Sequence, residues 1–187
     1  MSSSDMPRGQ IVVVGGANVD IKVRPSRVLR LGTSNAGSTH ISLGGVARNI
    51  AENLARLDVH VALMTAVGDD AFGRKIREHA EEACIDTTLI AVGGGSTGTY
   101  TALLDGRGRL VAAVSSMQVL DAITPEHVET GRAGFGQANA IVCDCNLSPA
   151  SVLRIGQIAT ETDVDLFVEG VSVPKVANVR PRKAKIA

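Results

Sequence analysis

Three groups of residues in this chain have the types and spacing to grip a polyol. The first is Gly44-Gly45 with Asn49 and Asn53, where the run from Val46 to Leu57 reads as a helix. Apolar residues at 46, 50, 54 and 57 share one face, and Glu52 and Arg56 stand one turn apart as an ion pair. A glycine pair opening a helix lets a ligand approach backbone N–H groups at the positive end of the helix dipole. Asn49, one turn in, can then hydrogen-bond a hydroxyl. Tight strand–helix packing is the competing reading of the glycines. The second group is Asn18 and Asp20, just past Ile11–Val14 and Gly15-Gly16. A carboxylate beside an amide suits vicinal hydroxyls, because the carboxylate accepts from both. A turn in which the two cap local backbone is the alternative. The third group comprises Asp69, Asn146 and Glu169, each at the end of a further apolar run. Helix capping competes for Asp69 and Asn146.

The elements that must position these residues alternate between strand and helix. Ile11–Val14, 59–67, 87–92, 140–145 and 164–168 read as strands, most of them buried and parallel. Helices are expected over about 46–57, 70–84, from Thr124-Pro125, and from Ser148-Pro149 to about 162. Open parallel sheets bind ligands outside the carboxyl ends of their strands, where the three groups fall. Residues 21–43 and the hairpin over 97–115, turning at Gly106-Arg107-Gly108, break the alternation. They could pair into a small second sheet that covers the strand ends as a lid. The fold class is therefore a layered α/β sheet with right-handed crossovers and a small β lid. Residues 1–10 read as a disordered leader, 11–187 as one domain portion, and the basic tail from Lys175 as the start of another helix. Gly93–Gly98 lacks the Lys-Ser/Thr of a phosphate loop and reads as a hairpin connection.

Composition excludes several classes. Lys plus Arg equals Asp plus Glu at 19 each, so no whole-protein field attracts nucleic acid or anionic membrane. Aromatic content of 2 % argues against base-stacking platforms. No run approaches a membrane span and no signal-peptide core follows Met1. Cys143 and Cys145 sit on one face of a strand and read as free core thiols, with Cys84 unpaired, which fits a reducing cytoplasm. The four histidines are scattered, pair with no nucleophile, and are expected at the surface.

Taken together, these residues resemble the pfkB family of sugar and nucleoside kinases, also called ribokinase-like. Gly44-Gly45 through Gly73, including Gly68-Asp69-Asp70-Ala71-Phe72-Gly73, is similar to its N-terminal signature. Asn18-Val19-Asp20 resembles its substrate-contacting motif. The resemblance runs from residue 11 through nearly the whole chain. It is finest to the pseudouridine-kinase subgroup, over Gly32–Gly37, Arg48–Leu57, Asn146-Leu147-Ser148 and Glu169–Lys175, although Gly170 stands where that subgroup has Pro. The resemblance implies transfer of the ATP γ-phosphoryl group, with Mg2+, to the ribose 5′-hydroxyl of pseudouridine. It implies that Asp20, Gly45, Asn49 and Asn146 hold the ribose. Thr33, Ser34, Asn35 and Tyr100 would belong to the lid or base-contact region. It also implies a small-molecule partner and a homodimer through the lid strands.

The chain departs from the family in one respect. The family's Asn-x-x-Glu motif for metal and phosphate and its Gly-Ala-Gly-Asp run, whose Asp is the general base, do not occur in the expected C-terminal position. The chain would then carry the acceptor-binding half, end just before the next strand, turn over no substrate alone, and tend to associate through an exposed sheet edge. Two rivals stand beside this reading. One is a ribokinase-like kinase for another nucleoside or sugar, and the other is a non-catalytic nucleoside-binding homologue.

Overall fold

The protein is described by a computed structural model over residues 9–176 and 184–186. Residues 1–8 of the expected leader and 177–183 of the basic tail lie outside the described residues. Six parallel strands form the main sheet: β1 (Ile11–Val14), β4 (Val61–Val67), β5 (Ile90–Val92), β8 (Ala140–Asp144), β9 (Asp165–Glu169) and β10 (Ala184–Ile186). Their order is β10-β9-β8-β1-β4-β5, with β1 central between β4 and β8. β1 and β4 are apolar and almost wholly buried, as a parallel strand covered on both faces requires. Helices α1 (Val46–Ala55) and α2 (Ala71–Glu82) cover one face, packing on Val13, Val61 and Leu63. Helices α3 (Pro125–Thr130), α4 (Arg132–Gln137) and α5 (Pro149–Thr162) cover the other, around Val12, Val14, Met64, Phe135 and Ile155. The sheet does not end before its next strand, as expected from the sequence: β10 is present and pairs with β9. A short helix, α6 (Val173–Val176), follows β9.

The two segments that break the alternation build a second sheet. It contains β2 (Asn18–Pro25), β3 (Gly37–Gly44), β6 (Thr99–Leu104) and β7 (Leu110–Ser116), in the order β3-β2-β6-β7. Residues 93–98 do not connect a hairpin. They carry the chain from β5 in the main sheet to β6 in the second, where β6 runs parallel to β2.

A side-chain latch holds that crossing. Asp70 caps α2 by accepting from the Gly73 amide at 2.8 Å, and it also accepts from the Thr97 hydroxyl at 2.7 Å and the Thr97 amide at 2.8 Å. Thr97 in turn accepts from the Gly68 amide at 2.9 Å. The Thr97 hydroxyl, helped by the two amides, holds the Asp70 carboxyl below the ordinary carboxylate range against the opposing effect of burial. A carboxyl depressed by folding stabilises above its unfolded value of about 3.9 and loses that contribution as pH falls through the folded value. An Asp70→Asn variant should therefore lose stability at neutral pH and show a flatter decline in urea midpoint below about pH 4 than the parent. Parallel acid limbs for the two proteins would contradict the latch.

Two further differences from the sequence reading have local causes. The α1 face expected from 46, 50, 54 and 57 is only partly the buried one: Ile50 and Leu54 pack on the core, but the face is centred elsewhere. Ala47, Arg48 and Ala51 are buried, whereas Leu57 is 73 % exposed. Small side chains let the helix sit close to the sheet, which size-weighted apolar spacing does not reveal. His127 is not a surface residue throughout, since its Nε2 is buried with no partner among the described residues. His40 and His60 are exposed and His79 half-buried. Cys143 and Cys145 are free and buried in the core, and Cys84 is free and exposed.

Candidate acceptor site

Polar residues from each of the three groups converge where β1 and β8 end and α1 begins. The centre is Asp144, the last residue of β8, which is 1 % exposed. Its Oδ2 accepts from the Gly16 amide at 2.9 Å and the Ala47 amide at 3.0 Å. Its Oδ1 accepts from the Asn146 amide at 2.8 Å. Burial raises the Asp144 carboxyl above the ordinary range, while the hydrogen bonds from Gly16, Asn146 and Ala47 pull the other way. One carboxylate thus fixes the turn after β1, the first turn of α1 and the turn after β8.

This changes what the start of α1 can do. Gly45, at its N-cap, offers no side chain, so Asp144 caps the helix from another strand. The Arg48 amide is given to the Gly16 carbonyl at 3.2 Å and the Asn49 amide to the Gly45 carbonyl at 2.9 Å. The amides of Ala47, Arg48 and Asn49 are therefore used within the protein, which leaves those of Gly45 and Val46 as the helix-start donors with no partner among the described residues to compete with a ligand. Gly45 itself has φ +100, and a Cβ there would stand 2.3 Å from the Gly16 carbonyl oxygen. The glycine pair permits close packing of α1 on the turn after β1, and that packing brings side chains to the mouth.

Those side chains are set in turn. Asn18 Nδ2 donates to Asp20 Oδ1 at 2.7 Å, leaving the other carboxylate oxygen as an acceptor. A Cβ on Gly44 would stand 2.6 Å from Asp20 Oδ1, so the carboxylate lies against the β3 end. Asn18 pairs with Gly44 and Asp20 with Tyr100 in register, which puts Tyr100 beside the carboxylate on β6. Arg48 is buried, donating from Nε to the Gly44 carbonyl at 3.1 Å and from a terminal nitrogen to Glu52 at 2.6 Å. Its other terminal nitrogen contacts Asn49 Oδ1. That contact orients the exposed Asn49 amide, whose Nδ2 has no partner among the described residues. Asn146 lies beside Gly16, where a Cβ would meet its Nδ2 at 3.2 Å, and its Oδ1 accepts from Lys175 Nζ at 2.5 Å.

The sequence profile of the pfkB family carbohydrate kinases matches residues 8–181. The chain belongs to the pfkB family. It is 34 % identical over 178 residues to a pseudouridine kinase of Escherichia coli, covering 94 % of this chain and 56 % of the relative. It superposes on a carbohydrate kinase from Agrobacterium tumefaciens with a TM-score of 0.84 and 29 % identity, over 90 % of this chain and 56 % of that one. Arabidopsis thaliana ribokinase, solved with ribose and ATP, matches with a TM-score of 0.75 and 19 % identity, over 88 % of this chain and 54 % of that one, and shows the shared fold. The chain spans about half the length of the curated relatives it matches.

On this pfkB frame, Asn18, Asp20, Gly44, Gly45 and Asn146 come together, with Tyr100 and Asn49 at the edge. Thr33, Ser34 and Asn35 do not join them through any hydrogen bond among the described residues. They lie exposed on the segment between β2 and β3. Asn35 closes its own loop, accepting from the Arg30 amide at 2.9 Å and donating to the carbonyls of Arg30 at 2.7 Å and Thr33 at 3.0 Å. Glu169 is in register with Asp144, and its Oε1 accepts from the Val171 amide at 3.0 Å. Asp69 is exposed, while its neighbour Asp70 holds the latch. Asp144 lies outside every motif read in the sequence, and Arg48 and Lys175 sit inside such motifs without an implied role. A carboxylate between two buried cysteines is itself a signal, because a charge in an apolar strand needs partners. Among the described residues, no three of His, Cys, Asp and Glu group so as to hold a metal ion, and no helix is long and apolar enough to cross a membrane.

Proposed function

We propose that this chain is the acceptor-binding half of a nucleoside kinase whose acceptor is pseudouridine, phosphorylated by ATP and Mg2+ at the ribose 5′-hydroxyl. The observation that carries this reading is the convergence of the Asn18–Asp20 pair, oriented Asn49 and Asn146 around the carboxyl ends of β1 and β8. One acceptor carboxylate oxygen and two side-chain amides match the donors and acceptors of a ribose diol. The sequence likeness to a pseudouridine kinase supports the choice of nucleoside. The family's Asn-x-x-Glu motif and Gly-Ala-Gly-Asp run, implied for metal, phosphate and general base, do not occur in the expected position of this sequence. The reading therefore concerns acceptor binding, and the chain alone is expected to give no turnover. Ile41 on β3 and Val114 on β7, 49 % and 69 % exposed on the two edge strands of the second sheet, are the apolar residues that would carry a homodimer.

One observation favours a different acceptor within the family. Thr33, Ser34 and Asn35, the residues implied for base contact, make no hydrogen bond to the ribose-side cluster among the described residues, and Asn35 is bonded within its own loop. Thermal shifts with pseudouridine, uridine, ribose and adenosine separate the readings. A ligand at a hundred times its dissociation constant adds about 2.7 kcal/mol of stability. Pseudouridine should give the largest shift, and Asp20→Ala should abolish it. Stabilisation by ribose with none by pseudouridine would replace the nucleoside with a free sugar.

A further inference from the structure

Lys175 is a charge that the acceptor grip does not need. A nucleoside is neutral, and its hydroxyls are already matched by Asp20, Asn49 and Asn146. Yet Lys175 reaches from α6, past the end of β9, to Asn146 past the end of β8, with Nζ 2.5 Å from Oδ1. Asn146 is itself fixed at its backbone by Asp144, and its Nδ2 lies beside Gly16. Its amide is thus orientated with the oxygen toward Lys175 and the nitrogen toward β1. Among the described residues Lys175 forms no ion pair. Glu169, the nearby acid, spends one oxygen on the Val171 amide. The Cys145 thiol feels Asp144 and Glu169 on one side of the balance and Lys175 on the other, which places all three charges around one strand end.

An ammonium held by one neutral amide at the mouth of a polyol site retains donors for a further acceptor, since Lys carries three. Asn146 bonds the ammonium without cancelling its charge. We propose that Lys175 is the phosphate contact of the acceptor site, taking a phosphate monoester on the bound sugar. The proposal rests on the reading of the cluster as an acceptor site. It makes the site discriminate between a nucleoside and its 5′-phosphate, with the charged form preferred.

The test is calorimetry on this chain with pseudouridine, pseudouridine 5′-phosphate and inorganic phosphate, using the parent, Lys175→Met and Lys175→Arg. Met keeps the length of the stem and removes the charge. The parent should bind the 5′-phosphate roughly tenfold or more tighter than the nucleoside at low salt, and the ratio should shrink as salt rises. In Lys175→Met the ratio should fall to about one; the lost bond to Asn146 Oδ1 weakens both ligands alike, so the ratio, and not the nucleoside affinity by itself, is the readout. Lys175→Arg should restore most of the preference. An unchanged ratio in Lys175→Met overturns the assignment of Lys175 while leaving the acceptor site standing. Inorganic phosphate binding as tightly as the 5′-phosphate would show an anion site unconnected with the sugar, and also overturns it. Failure of the parent to bind either nucleoside form removes the acceptor-site reading, and this inference with it.

Discussion

An Asp144→Ala variant should unfold at a much lower urea concentration than the parent, with a loss of about 3–5 kcal/mol. The argument is a count of donors. Asp144 receives the amides of Gly16, Ala47 and Asn146, all at 2.8–3.0 Å, in a site 1 % exposed. Alanine leaves all three without their acceptor, and each buried orphan costs about 1–3 kcal/mol. The helix start loses its cap as well, because Gly45 has no side chain to substitute. Asp144→Asn should fall between the two. It keeps the shape and one oxygen, but its NH2 must face at least one amide N–H. Urea midpoints converted with the measured slope check the order parent, Asn, Ala. A loss under about 1 kcal/mol for the alanine variant would show that water replaces the carboxylate and that the clamp has no structural role. The same variants bear on function. Asp144 touches no ligand in the reading above, yet it sets the positions of Asn146 and the turn leading to Asn18. Asp144→Asn, where folded, should bind the acceptor more weakly than the parent.

The frame of this fold can be read locally, and the site only partly so. Ile11–Val14, Val61–Val67 and Ala140–Asp144 announce buried parallel strands because each is a short apolar run with no alternation. Thr124-Pro125 and Ser148-Pro149 announce helix starts, and in both the hydroxyl accepts from an amide three residues on. α4 has no such mark. Its six residues include Gly134 and Gly136, and it is held by burial of Phe135 instead. The face of α1 is half legible: Ile50 and Leu54 do pack on the core, but the fully buried Ala47 and Ala51 weigh least on any apolar scale. Asp20, Asn18 and Asn146 are visible because polar residues at strand ends have a positional meaning in a parallel sheet. The clamp that Asp144 makes is not, since its partners Gly16 and Ala47 lie 128 and 97 residues away in sequence. No spacing rule reaches across that distance. Only the pairing of β8 with β1, in which Cys143 stands opposite Val14, brings the carboxylate to the amides it holds.

Gly45→Ala should be among the most damaging single substitutions in the chain, and a second glycine supplies its control. Gly45 has φ +100 and Gly108 has φ +81, so alanine is strained at both. A side chain in this left-handed half of the map costs about 1–2 kcal/mol. The surroundings differ. A Cβ on Gly108 meets nothing within 4 Å, at the exposed tip of the β6–β7 hairpin. On Gly45 it would stand 2.3 Å from the Gly16 carbonyl oxygen and 2.5 Å from Ala17 Cα. These are backbone atoms in the turn after β1, and that turn cannot yield without moving Asn18 or breaking the hydrogen bond from the Arg48 amide to Gly16. Gly108→Ala should therefore cost about 1 kcal/mol. Gly45→Ala should cost about 3 kcal/mol more than that, from overpacking against backbone. Its acceptor affinity should fall by more than tenfold even where the fold survives at low temperature, since α1 must withdraw from the turn that carries Asn18 and Asp20. Equal urea midpoints for the two alanine variants would mean that α1 shifts freely, and that close packing at Gly45 sets neither the stability nor the site.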